Sequence, residues 1–278
     1  MHSLYNDAKL VTTFNSRNFA LEISTMTLPL SAIIITQNEE HNIKRCIESV
    51  AFCEEIIVVD SGSNDNTVNI ATQLGARIIH QPWMGYGKQK QFAVEQSTHS
   101  WVLCLDADEV VSNDLKKSII DSDKSGITIS SYKMARQNHF LGKALQHGEG
   151  YPDFSLRLFN KKQCCWSDDS VHEGVIVNSG NTKKLKGDLL HFSGETISKY
   201  LAKQNKYTQL QAEKLFFLGE RPSSIKCFSS PAIRFLKFYF LRLGFLDGAA
   251  GFIHVSIGCF NAFCKYAKLL ELHRKSNN

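Results

Sequence analysis

Glycine is missing where a dinucleotide-binding chain most needs it. The apolar run Ser31-Ala32-Ile33-Ile34-Ile35-Thr36 passes straight into Gln37-Asn38-Glu39-Glu40. The G-x-G-x-x-G turn that cradles a pyrophosphate is therefore excluded, and with it a Rossmann-type oxidoreductase. The eight cysteines form no C-x-x-C pair and no regular framework. Cys46 and Cys104 sit in apolar patterns and read as core, while the adjacent Cys164-Cys165 have poor geometry for a shared metal. This usage argues against a zinc site and a disulfide scaffold and fits a reduced, cytosolic compartment. Neither a G-x-S-x-G elbow nor a Cys/His nucleophile signature occurs. Internal repeats and low-complexity tracts are absent. Residues 1–25 lack the basic start and apolar centre of a signal peptide. Residues 1–28 are expected to form an extension, either a disordered tail or a stretch preceding a natural start at Met26.

What is present is an acidic edge. Trp101-Val102-Leu103-Cys104-Leu105 reads as a buried strand and ends in Asp106-Ala107-Asp108-Glu109. Three crowded acids resist burial unless a cation relieves them, and carboxylate oxygens suit Mg²⁺ or Mn²⁺, which in turn bind phosphate. A solvated turn before a helix at Asn113–Asp121 is the plainer alternative. It loses ground because two more acidic strand ends lie upstream: Glu39 after the first strand, and Asp60 closing Glu55-Ile56-Ile57-Val58-Val59-Asp60. Between the strands lie helical patterns, one carrying Ile43, Cys46, Ile47 and Val50, one from Thr67 to Leu74, and one from Lys88 to Ser97, with a short strand at Ala76–His80. Such alternation predicts an α/β fold with a mostly parallel sheet, and ligands bind outside the carboxyl ends of such strands.

Charge divides the chain. Residues 199–278 carry thirteen Lys/Arg and four Asp/Glu, a net of +9, and the first 198 residues a net of −4, giving the overall +5. The basic part is also aromatic, as in Phe235-Leu236-Lys237-Phe238-Tyr239-Phe240-Leu241-Arg242. It is expected to meet an anionic membrane surface rather than nucleic acid, for which no motif is present. Leu243–Cys264 is mostly apolar, but Asp247, His254 and Asn261 and four glycines interrupt it. An interfacial or re-entrant element is preferred over a true span, because an ionised Asp in the bilayer core costs about 3 kcal/mol.

In the middle of the chain, Ile127–Lys133 and Ser155–Phe159 read as strands. Alternation within Asp153–Phe159 places Arg157 opposite to Leu156 and Leu158. Trp166–Glu173 reads as a polar loop ending in an acid–base pair, and His191 as a lone histidine in an apolar run.

Ile35-Thr36-Gln37-Asn38-Glu39, Val58-Val59-Asp60-Ser61-Gly62-Ser63-Asn64-Asp65-Asn66-Thr67 and Leu105-Asp106-Ala107-Asp108-Glu109 together resemble glycosyltransferase family 2. Trp83-Met84-Gly85-Tyr86-Gly87-Lys88-Gln89-Lys90, Arg157-Leu158-Phe159, Val171-His172-Glu173 and Gly244-Phe245-Leu246-Asp247-Gly248 resemble its lipopolysaccharide core β-glucosyltransferase branch. The likeness runs from about Leu30 to about Leu270. It implies a GT-A fold over residues 29–198, followed by a helical, membrane-associated region over 199–278.

The resemblance also implies an inverting transfer of a hexose to a lipid-linked saccharide. The donor is a nucleotide-diphosphate sugar, with UDP-glucose as the default, and the ion is Mg²⁺ or Mn²⁺. By position, Thr36, Asn38, Glu39 and Asp60 would border the nucleoside, Asp65 would shape its pocket, and Gln89 and Lys90 would lie near base and diphosphate. Asp106 would contact ribose or metal, Asp108 the metal, and His191 would be a further metal ligand. Arg157 would add a phosphate contact. The family carries Glu-Asp where this chain has His172-Glu173, so the base lies between those two residues, with Asp168 and Asp169 nearby. A sugar nucleotidyltransferase and a non-catalytic nucleotide-sugar-binding module are the alternatives. The first normally shows an early glycine-rich basic loop, and the second would not need Asp106, Asp108 and Glu173 intact.

Overall fold

The computed structural model describes residues 27–168, 173–193, 196–221 and 223–276. Its first half follows the alternation expected from the sequence. Strand β1 (Leu28–Thr36) leads through helix α1 (Ile43–Ser49) to β2 (Cys53–Asp60). Helix α2 (Thr67–Gln73), β3 (Arg77–His80), α3 (Tyr86–Glu95) and β4 (Trp101–Asp106) follow. β1 pairs in parallel with both β2 and β4, and β2 with β3. The register sets Thr36 beside Asp60 and Ile35 beside Asp106, so the acidic strand ends lie on one edge.

Beyond β4 the sheet becomes mixed. A short β5 (Glu109–Val111) and helix α4 (Asn113–Ile120) precede β6 (Ile129–Phe140), β7 (Lys143–Ala144) and β8 (Asp153–Asn160). After these come β9 (Cys164–Trp166), β10 (Val175–Val177) and β11 (Asn181–Phe192). The main sheet runs β3-β2-β1-β4-β8-β6-β11-β5, with β7 on β6, while β9 and β10 pair separately. β8 is antiparallel to both β4 and β6, whereas β11 runs parallel to β6.

Two apolar layers sandwich the sheet. Ile34, Val58, Leu103 and Leu158 face α1 and α4 through Ile43, Ile47, Leu115 and Ile119. Ile33, Ile57, Val102 and Phe159 face α3 and the β9–β10 hairpin through Ala93, Val94 and Trp166. Burial on both faces explains why β1, β2 and β4 read as unbroken apolar runs.

The expected alternation of β8 fails at one residue. Tyr132 pairs with Leu158 but Lys133 pairs with Leu156, leaving Arg157 as the extra residue of a β-bulge. Leu156 and Leu158 consequently pack into opposite layers instead of sharing one face.

The C-terminal region is helical, with α5 (Ile197–Phe217), α6 (Ser224–Phe235), a π-helical turn at Leu236–Leu241, a 3₁₀ turn at Gly244–Asp247 and α7 (Gly248–Ser276). Among the described residues no single helix is long and apolar enough to cross a membrane. The segments Ser224–Leu241 and Gly244–Ser276 together would be, but they meet at a bend of 73°. Asp247, which interrupts the apolar pattern in the sequence, is buried. Its carboxylate accepts hydrogen bonds from the amides of Gln146 (3.1 Å) and His147 (2.9 Å) and lies 3.0 Å from His147 Nδ1. Gly258 marks a close approach rather than a weak helix, since a Cβ there would stand 2.5 Å from the Glu149 carboxylate.

Asp247 therefore docks the loop after β7 onto the C-terminal helices. Asp247→Ala should lower stability by about 2–4 kcal/mol, because it strands two amides that now bond a charged acceptor. Thermal unfolding followed by circular dichroism measures this, with Asp247→Asn expected to lose less.

Candidate active site

The acidic edge opens on a cavity of about 1170 Å³ between the sheet and the C-terminal helices. Thr36, Glu39, Asp106, Asp108, Glu173 and His191 all line it. The sequence-expected residues divide into those that reach this cavity and those that shape the loops around it.

A buried run of alternating charges forms the floor. Arg136 Nη2 lies 2.7 Å from Asp153, and Arg136 Nη1 lies 3.7 Å from Glu109. Arg157 Nη2 donates to Glu109 Oε1 (2.7 Å) and to Asp106 Oδ2 (2.9 Å). Lys90 Nζ then lies 3.1 Å from Asp106 Oδ1 and 3.3 Å from Glu173 Oε1. Glu109 is 0% exposed, Lys90 3% and Arg157 4%.

Burial alone would push the Asp106 carboxyl up, but Lys90 and Arg157 outweigh it and hold Asp106 well below the usual carboxylate range. Arg157 is the mirror case. Burial opposes its charge, and Glu109 and Asp106 restore it beyond the ordinary guanidinium value. Arg157 itself is the extra residue of the bulge in β8.

Beside this run stands a second arrangement. His191 Nε2 lies 3.2 Å from Asp108 Oδ2, and Nδ1 lies 2.8 Å from Asn138 Oδ1. Asn138 Nδ2 donates to Gly150 O (3.1 Å), which leaves its Oδ1 as the acceptor and the proton on His191 Nδ1. His191 Nε2 is thus aimed at the carboxylate in the way an outer hydrogen bond orients a metal-binding imidazole. Burial lowers the His191 pKa, and Asp108 overrides it, so the ring holds a proton more tightly than an ordinary histidine.

A divalent cation fits in place of that proton. One carboxylate and one imidazole suit Mn²⁺ or Mg²⁺, which take their remaining ligands from phosphate and water. Asp106, at the same strand end, is ion-paired with Lys90 and Arg157. Among the described residues no three His, Cys, Asp or Glu side chains gather at one metal position.

The β1 and β2 ends supply the next wall. Thr36 lines the cavity with its hydroxyl buried and unpartnered among the described residues. Burial raises the Glu39 pKa, Asn42 Nδ2 donates to it at 2.6 Å, and Asp108 and Asp65 add repulsion; the net direction is upward. Asn38 adopts a left-handed φ of 57° and ties the two loops together. Its amide donates to Ser63 Oγ and its Oδ1 accepts from the Asn64 amide, both at 2.8 Å.

Asp60, Asp65 and Gln89 are absent from the described lining. Asp60 accepts from the Gly62 and Ser63 amides and the Ser63 hydroxyl. Asp65 caps α2 through the Thr67 amide and hydroxyl and also accepts from the Glu40 amide. Gln89 Nε2 donates to Ser61 Oγ and Gln81 O, both at 3.1 Å. All three hold the loops whose neighbours face the cavity. His172, together with Asp169 and Val171, lies outside the described residues.

Several contributors escaped the sequence reading. Arg136 and Asn138 sit beyond Lys133, where the strand pattern was expected to stop, but β6 continues to Phe140. Glu109 reads as one more acid in a polar turn, although its 0% exposure makes it the anchor between two arginines.

A parallel sheet with carboxylates at its strand ends, an Asp-x-Asp turn after β4 and a distal histidine define a nucleotide-diphospho-sugar transferase fold of GT-A type. The "Glycosyl transferase family 2" model matches residues 31–163. A lipopolysaccharide core biosynthesis glycosyltransferase, LpsC of Rhizobium meliloti, is 34% identical over 252 residues, covering 88% of this chain and 93% of the relative. An uncharacterized glycosyltransferase of Rickettsia typhi is 35% identical, covering 90% of this chain and 89% of its own. The chain belongs to glycosyltransferase family 2 and is a glycosyltransferase. Among solved structures, a Mycobacterium tuberculosis glucosyl-3-phosphoglycerate synthase in complex with Mg²⁺ and UDP is 17% identical, with a TM-score of 0.46. The match covers 76% of this chain and 85% of that one. At these values the likeness carries no weight for the site or the substrate.

Arg157→Met should destabilise the protein by about 3–5 kcal/mol, since Asp106 and Glu109 would lose the charge they share. Adding Glu109→Gln should recover part of that loss. Denaturant unfolding of the two single variants and the double variant measures the coupling.

Proposed function

We propose that the protein transfers a hexose, glucose from UDP-glucose by default, to a lipid-linked saccharide of the lipopolysaccharide core. The observation that carries the reading is the Asp108–His191 pair at the end of β4, beside Glu173, in one cavity. The Rhizobium relative, a lipopolysaccharide core biosynthesis glycosyltransferase, supports the acceptor class.

Thr36 and Glu39 line the side of the cavity assigned to the nucleoside. Asp108 and His191 would hold a divalent cation, which supplies Lewis-acid neutralisation of the diphosphate. Glu173 is the base. It accepts the proton of the acceptor hydroxyl as that oxygen bonds to the anomeric carbon, and the nucleoside diphosphate leaves with the bonding electrons of the broken C–O bond. One displacement inverts the anomeric centre. Lys90 lies between Glu173 and Asp106 and fixes the base beside the acidic edge.

Asp108→Ala should lose Mn²⁺-dependent binding of UDP in calorimetry. Glu173→Gln should keep that binding while transfer falls by about 10²–10⁴-fold. Full transfer by both variants would sink these assignments.

The enzyme works, on this proposal, as a peripheral protein on the cytoplasmic face of the inner membrane of a Gram-negative bacterium. The support is an inverted amphipathic helix. In α7, His254, Gly258, Asn261 and Lys265 turn to the cavity, while Phe252 is 48% and Phe260 57% exposed on the other side. Leu241, before the bend, is 79% exposed. Apolar faces of this kind with interspersed Lys237 and Arg242 suit an anionic lipid interface. Wild-type protein should co-sediment with phosphatidylglycerol-containing vesicles more than with neutral ones, and less at high salt. Leu241→Ser/Phe260→Ser should weaken that binding and leave UDP binding intact. Equal sedimentation of both proteins would refute the membrane role of this face.

A further inference from the structure

The two walls of the cavity differ in charge. The sheet side is mixed and mostly acidic, with Glu39, Asp106, Asp108 and Asp153 around Arg136, and with Glu149 and Glu173 beside them. From residues 199–278, every ionised side chain on the cavity is basic: Lys203 and Lys206 on α5, Arg234 on α6 and Lys265 on α7. The four acids of that region, Glu213, Glu220, Asp247 and Glu271, all lie elsewhere.

The same wall carries the chemistry that recognises sugars. Tyr200 stacks with His254 at 6.4 Å, and Phe140 meets the edge of Tyr200 at 5.5 Å, giving an aromatic platform. Beside it Asn261 Nδ2 donates to Gln204 Oε1 at 2.8 Å, a pair of amides with donor and acceptor capacity to spare. Helical spacing places these groups together. Tyr200, Lys203, Gln204, Tyr207 and Gln211 fall on one face of α5. Arg234 is held by Glu149 through both of that carboxylate's oxygens, so it is fixed as part of the wall. The volume of about 1170 Å³ exceeds the roughly 300–1,000 Å³ of a single small-molecule site, leaving room for a second ligand beside a donor.

We propose that this helical wall is the acceptor subsite and that it selects a saccharide bearing a phosphate group, read by Lys206 and Lys265. The inference rests on the transferase reading above and adds the charge of the acceptor to it. The donor's diphosphate is the rival source of negative charge for these lysines. It is disfavoured because the Asp108–His191 pair that would hold its cation stands at the sheet edge, not on the helices.

The test uses the full chain, UDP with Mn²⁺ as the donor-side probe, and a deacylated lipopolysaccharide core oligosaccharide before and after phosphatase treatment as the acceptor-side probe. Calorimetry should show the wild type binding the untreated oligosaccharide about tenfold or more tightly than the treated one. Lys206→Gln/Lys265→Gln should lose most of that preference and keep UDP–Mn²⁺ affinity. Lys275→Gln, which removes a charge outside the cavity, should change neither. The proposal is overturned if the wild type shows no preference for the charged oligosaccharide, or if the double variant keeps the preference. Weakened UDP–Mn²⁺ binding in the double variant would assign the lysines to the diphosphate and also overturn it. Failure of the wild type to bind UDP–Mn²⁺ at all would instead strike the transferase reading, whatever the oligosaccharide does.

Discussion

The site depends on one shared charge. Arg157 is buried between Glu109 and Asp106 and donates to both carboxylates. From this point the alternation extends outward to Arg136 and Asp153 on one side and to Lys90 and Glu173 on the other. Such arrangements add little net stability, because desolvation offsets most of the attraction. What they contribute here is placement. Side chains from β8, β6, β5, β4, α3 and the segment before β10 are locked into one register, so Glu173 is positioned by contacts that begin at Asp153 and Arg136.

How much of this was readable beforehand follows from what each residue's neighbours are. β1, β2 and β4 announced themselves because both faces are buried and their runs are uninterrupted. Their acidic ends, and the shared edge, followed from parallel winding alone. The second half was less legible because its order depends on long-range pairing. β6 is a twelve-residue strand whose later residues are polar because they face the cavity, so the apolar pattern fades before the strand does. For Asp60, Asp65 and Gln89 the resemblance implies ligand contacts, and the fold adds what sequence does not show: Asp60 accepts from Gly62 and Ser63, Asp65 from Thr67 and Glu40, and Gln89 donates to Ser61 and Gln81.

The C-terminal helices invert the usual rule of a soluble fold. Their polar residues turn inward to the cavity and their phenylalanines outward. Read as a string, the segment from Leu243 to Cys264 is an apolar stretch spoiled by Asp247, His254 and Asn261. Read in the fold, those three residues are its purpose. Asp247 binds the loop after β7, and His254 and Asn261 face the site. At Gly244, Gly251 and Gly258 other groups come too close for a side chain, as Glu149 does at Gly258, while Gly248 takes a left-handed φ of 64°.

The bulge in β8 has a further consequence, in the currency of chain length. A strand in register forgives many substitutions, but Leu156 and Leu158 reach opposite layers only because one residue between them is not counted in the pairing. Removing Arg157 itself would restore a regular pleat, with Leu156 still on Lys133 and Leu158 on Tyr132, but would take the guanidinium out of the site. Removing a neighbour while keeping Arg157 would instead carry one of the leucines to the wrong face. This stretch can therefore vary in composition far more freely than in number, and relatives that keep the site should keep its spacing to the residue.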